Sequence, residues 1–168
     1  MLIYHQRNDV YHCTFRLLSI FNMINTNDIE FARLKIIDFY IVFPHLISTI
    51  SLPRAKGISK IKKEVQTLPV PYEKLPSSRM LFSEMGDIQL QAIDILKAKK
   101  ILEVTEEGVI SKGKYFSSEA VQSLVIENNI TSKWFYKDFI KILIECPFYG
   151  ENGLKKRTGL MEYRYDAV

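Results

Sequence analysis

Apolar residues recur at helical spacing along most of the chain, and the breaks between runs are short. From Val10 to Ile24, Tyr11, Thr14, Phe15, Leu18, Phe21 and Met23 keep this spacing, with Asp9 placed to cap the first turn. Asn25 to Asn27 reads as a turn, and Asp28 as the cap of a second helix with Glu30 in its first turn. In that second helix Phe31, Leu34, Ile37, Phe39, Tyr40 and Ile41 cover most of the circumference. A helix apolar nearly all round has to be enclosed on several sides. Pro44 disfavours helical backbone at Phe43 and ends it there, and His45 to Ile50 begins another short turn. Asp38 interrupts the apolar run at its centre. If enclosed, its carboxylate needs Arg16, Arg33 or a donor from another chain.

From Leu52 to Pro76 the pattern changes. Pro53, Pro69, Pro71 and Pro76 bracket a basic stretch, Lys56 to Val65, that reads as one amphipathic helix in a structured connector. Ser77 or Ser78 then caps a short helix holding Met80, Leu81, Phe82 and Met85. Gly86-Asp87 reads as a break and recap, followed by a helix from Ile88 to Lys99 with Ile88, Ala92, Ile95 and Leu96 on one face. Ile101 to Val104, a turn at Glu106-Glu107-Gly108 and Val109-Ile110 read as a hairpin. Helix, break, helix and hairpin is the order of a winged helix. Ser118 caps a helix through Val125 with Val121 and Leu124 inward. Thr131 or Ser132 caps another, whose Phe135, Phe139, Ile142 and Leu143 repeat until Pro147. Asn152-Gly153 marks a turn, and Leu160 to Tyr165 alternates like a terminal strand. The expected fold is mainly α with a small β-hairpin (α+β). It has an N-terminal helical part (1–52), a basic connector (53–76), a winged-helix-like unit (77–116), and C-terminal helices with a terminal strand (117–168), packed as one domain.

Composition narrows the function. Of 168 residues, 47% are hydrophobic and 25% charged, a globular balance that excludes a disordered chain. Nine Tyr and ten Phe exceed ordinary core needs and favour a subunit with an interface. The net charge of +4 is modest for a dedicated nucleic-acid clamp, although Arg54, Lys56, Lys60, Lys62 and Lys63, opposed by Glu64, form a basic neighbourhood. Cys13 and Cys146 sit among apolar neighbours and read as buried free thiols. Met1 to Gln6 lacks a signal-peptide pattern, and the longest apolar run is far short of a membrane span, so a cytoplasmic chain is expected.

Catalytic patterns are weak. Gly108 to Lys114 has the glycine and lysine spacing of a phosphate-binding loop, but Tyr115 stands where a Ser or Thr would hold magnesium, and Val109-Ile110 prefer a strand. This segment reads as the wing. His5, His12 and His45 have no partner at metal-ligand spacing, and adjacency of His12 and Cys13 makes no catalytic dyad. No cofactor is expected, and the chain does not read as an enzyme. Lys97, Lys100, Lys112 and Lys114, with Lys60, Lys62 and Lys63 of the connector, could meet a DNA backbone. Base readout is poorly supplied: from Ile88 to Lys99 only Gln89 and Gln91 carry amides, and no Arg is present.

Three stretches together resemble the middle components of bacterial ABC-three-component systems, the group that includes Lamassu-type defence operons. They are Tyr11 to Leu18, Arg33 to His45, and Arg79 to Met85 followed by Ile88 to Ala92. The resemblance implies a non-catalytic accessory subunit that bridges an SMC-like coiled-coil ATPase to an effector such as a nuclease, with DNA reached through the complex. Phe15, Arg16, Asp38, Phe39, Tyr40, Phe43 and His45 are the interface residues expected on that reading. The alternative is a stand-alone winged-helix DNA-binding regulator.

Overall fold

A computed structural model describes residues 6–71, 74–128 and 133–162. Helix α1 (Val10–Met23) starts where Asp9 accepts hydrogen bonds from the Tyr11 and His12 amides, at 2.8 and 3.1 Å, and so satisfies two of the unpaired first-turn donors. Strand β1 (Asp28–Glu30) follows, then α2 (Phe31–Val42) and a 3-10 turn from Pro44 to Thr49. Asp28 therefore lies in a strand rather than capping α2, which begins two residues later than its side chain suggested.

The connector holds α3 (Ile58–Gln66), whose Ile61 and Val65 face inward. Next is α4 (Ser78–Ala98), capped by Ser77 and running unbroken for 21 residues. The expected break at Gly86-Asp87 is absent. A helical glycine costs about 1 kcal/mol relative to alanine, and burial of Met85, Gln89, Ala92 and Ile93 on both sides of it outweighs that. The helix stops at Lys99 through a C-terminal motif in which Lys100 takes φ 55°. There Lys100 N–H donates to the Lys97 carbonyl and Ile101 N–H to the Leu96 carbonyl, both at 2.9 Å.

Strands β2 (Leu102–Val104) and β3 (Val109–Lys112) form the expected hairpin around a turn with Gly108 at φ 78°. A third strand joins them, because β1 pairs antiparallel with β3 (Ile29 opposite Ile110) and the sheet order is β1-β3-β2. The segment 77–116 is thus one helix and two strands, and its sheet is completed by residues 28–30 from the far side of the connector. Helices α5 (Glu119–Glu127), α6 (Phe135–Glu145) and α7 (Leu154–Thr158) complete the chain. Val121 faces inward as expected, whereas Leu124 is exposed. The caps expected at Thr131 or Ser132 lie outside the described residues. Residues 160 and 161 form a bend rather than strand, and 163–165 lie outside the described residues.

The architecture is α+β, with helices around a small antiparallel sheet. Its centre is α2, which packs against α1, α4, α6, β1 and the 3-10 turn. Phe39 meets Tyr40, Phe43 and Phe82, and Tyr40 meets Phe139, at ring separations of 5.1 to 5.9 Å. One cluster of buried side chains runs from Cys13 to Leu160.

Candidate functional site

At the centre of this packing lies a polar node. Arg16 on α1 faces Asp38 on α2 side-on, with Nε to Oδ1 at 2.5 Å and Nη2 to Oδ2 at 3.2 Å. Gln89 of α4 donates from Nε2 to the same carboxylate at 2.9 Å and to the Lys35 carbonyl at 3.2 Å. Asp38 is fully buried, and Arg16 and Gln89 are nearly so. The guanidinium also donates to the Gln6 carbonyl at 3.3 Å. Burial, reinforced by the nearby Asp38 charge, pushes the Cys13 thiol well above its ordinary range, so Cys13 stays protonated beside the pair. Three helices therefore meet on one carboxylate. Such a cluster fixes how the helices register against one another.

Arg33, the other cation considered for Asp38, does something else. Its Nε donates to Glu30 at 2.8 Å, while its Nη1 donates to the carbonyls of Leu143 and Cys146, both at 2.6 Å, and of Ile144 at 3.2 Å. A buried guanidinium thus caps the C-terminal end of α6, where unpaired carbonyls and the helix dipole favour a cation. Partial burial pushes the Glu30 carboxyl up, but the Arg33 hydrogen bond, a backbone hydrogen bond and the Arg33 charge together hold it below its ordinary range. No spacing rule links Arg33 to residues more than a hundred positions away.

The expected interface residues divide by burial. Arg16, Asp38, Phe39, Tyr40 and Phe43 lie in the interior, enclosed by this chain's own helices. Phe15 and His45 are half-buried. The surface carries other large apolar groups: Tyr11, Met80, Leu90, Ile126 and Tyr149 are each about half or more exposed. Met80 and Leu90 share the outward face of α4 with Glu84, Asp87 and Asp94. That face is about 30 Å long at 1.5 Å per residue. Gln89, one of the two amides between Ile88 and Lys99, points into the core, which leaves base readout still more poorly supplied.

The lysines divide as well. Lys62 donates to the Ile50 carbonyl at 2.8 Å and ties the connector down, and Lys112 lies over the Phe116 ring and reaches the Ile24 carbonyl at 3.5 Å. Lys114 sits over Tyr115, and Lys60 over Trp134 with Nζ 4.6 Å from the ring. Lys63, Lys97 and Lys100 are exposed, the last held in the C-terminal motif of α4. Gly108 to Lys114 is turn and strand, not a loop wrapped around phosphate.

A groove of about 300 Å³ runs between the α1–β1 turn and α6, lined by Met23, Ile24, Lys137, Lys141, Ile144 and Glu145. Its charges are mixed, and nothing in it pairs a nucleophile with a base. Among the described residues no cluster of three or more His, Cys, Asp or Glu could hold a metal ion, and no helix is long and apolar enough to cross a membrane.

The chain thus has a folded core organised around a buried polar node, with large apolar groups left exposed on helix faces. The family ABC-three component (ABC-3C) system Middle Component 5 matches residues 2–166, and the chain belongs to it. A middle component of a three-component system has partner subunits. Comparison with curated proteins and with solved structures returned no match.

Proposed function

We propose that this chain is a non-catalytic, cytoplasmic accessory subunit of a defence complex of the Lamassu type. In this reading it bridges an SMC-like coiled-coil ATPase to an effector, such as a nuclease, and touches DNA backbone within that assembly. The family match along nearly the whole chain carries the reading. The surface supports it: the outward face of α4 alternates Met80 and Leu90 with three acids, a pattern suited to a partner helix bearing apolar and basic residues. Phe39, Tyr40 and Phe43 contribute by stiffening the helix against which α4 rests.

The second reading is a stand-alone winged-helix regulator using Lys97, Lys100 and Lys112. The element order α1-β1-α2-α4-β2-β3 with strand order β1-β3-β2 supports a winged-helix reading over residues 10–112, with the 3-10 turn and α3 inserted. In that frame α4 would enter the groove, where Glu84, Asp87 and Asp94 would meet phosphates unfavourably. The accessory-subunit reading is therefore preferred. Co-expression with the ATPase encoded beside it should yield one complex by size exclusion. Separate elution at low micromolar concentration overturns the reading, and tight, salt-sensitive binding of the isolated chain to one operator favours the regulator.

A further inference from the structure

The cations of this chain are unevenly placed. Between Ser51 and Pro71, Arg54, Lys56, Lys60, Lys62 and Lys63 face a single acid, Glu64. The fold brings the start of α6 against this stretch, adding Lys133 and Trp134. With Lys137 and Asp138 of the first turn of α6 these segments hold seven cations and two acids in a chain of net charge +4, so the remainder is slightly negative. Lys60 and Lys63 lie one turn apart on the outward face of α3, opposite the buried Ile61 and Val65. Beside them Trp134 is 45% exposed, with the Lys60 ammonium over its ring. An indole half open beside exposed cations is the pairing that a stacking site for an unpaired base requires.

We infer that the face shared by α3 and the start of α6 binds single-stranded nucleic acid: an unpaired base displaces the Lys60 ammonium from the Trp134 ring and stacks there, while Lys60 and Lys63 take the flanking phosphates. Both parts are needed for such a site: cations follow the backbone, and an aromatic face accepts any base without reading its edge. A duplex offers the phosphates but hides the base faces. Lys62 stays out of the site because it is committed to the Ile50 carbonyl. The inference extends the DNA contact of the reading above, but it is measured on the isolated chain. Failure to assemble with an ATPase and failure to bind a strand are thus separate results.

Trp134 is the sole tryptophan, so its emission reports on the site directly. Titrating the full-length chain with oligothymidylate of about 20 nucleotides at low salt should quench that emission, and added salt should reverse it. Joint K60E and K63E substitution should weaken binding at least tenfold. W134A, followed by anisotropy of a labelled strand, should weaken it about fivefold or more, the loss expected when alanine replaces one stacking aromatic. K99E, at the far end of α4, should leave it unchanged. All these side chains are exposed or half-exposed, and circular dichroism checks that each variant is folded. The inference is overturned by an absence of quenching, by equal affinity for a duplex of the same length, by loss of binding in the α4 variant, or by quenching with phosphatidylserine vesicles but not with the strand.

Discussion

Asp38 shows how one residue can organise the molecule. An acid in the centre of an apolar helix is expensive unless its charge is met, and here Arg16 and Gln89 meet it from two neighbouring helices. Removing one member of such a pair leaves the other charge buried and uncompensated, at a cost of about 3–5 kcal/mol. D38N should therefore lose stability of that order in urea unfolding, although the amide nearly matches the carboxylate in shape. Joint R16M and D38L substitution removes both charges and should recover much of the loss, since apolar pairs of similar volume can replace buried ion pairs. A D38N cost below about 1 kcal/mol, the range of exposed ion pairs, would contradict the buried node. The sequence already carried part of this: an acid inside an enclosed helix needs a donor, and Arg16 was one of two candidates within the chain. Gln89 was not foreseeable as the third member, because its position on α4 reads equally well as solvent-facing.

At the scale of elements, legibility follows range. Helix α1 and its Asp9 cap, the end of α2 at Pro44, the β2–β3 hairpin and the periodic part of α6 all rest on interactions within a few residues, and each matched its pattern. What escaped depends on distant partners. Strand β1 is only three residues long and exists because β3 lies alongside it. The end of α6 is held by Arg33, far back in the chain. Gly86 is the instructive case: local propensity argues for a break, and packing of α4 on α1 and α2 overrides it. An added methyl at Gly86 meets nothing within 4 Å. G86A should thus raise stability by up to about 1 kcal/mol, through better helix propensity and a less mobile unfolded chain. A thermal melt measures it, and a fall in midpoint would mean that α4 requires flexibility at Gly86.

At the scale of the whole molecule, the decisive fact is that residues distant in sequence share one core. The sheet takes strands from both sides of the connector, α3 touches the 3-10 turn and α6, and Arg157 of α7 donates to the Ser51 carbonyl at 2.6 Å. An N-terminal part, a connector and a winged unit can be named along the chain, but their apolar faces join one continuous cluster of buried side chains. Two-state unfolding is expected of a chain of this size when no segment keeps a core of its own. Trp134 emission reports the junction of α3 and α6, while far-ultraviolet circular dichroism reports all the helices together. The two should give superimposable urea transitions with one midpoint and one slope. If Trp134 is released at clearly lower urea, the connector and α6 form a separately melting unit. The α3–α6 face would then be an appendage that can move relative to the polar node, and a partner bound there could not be sensed at α4.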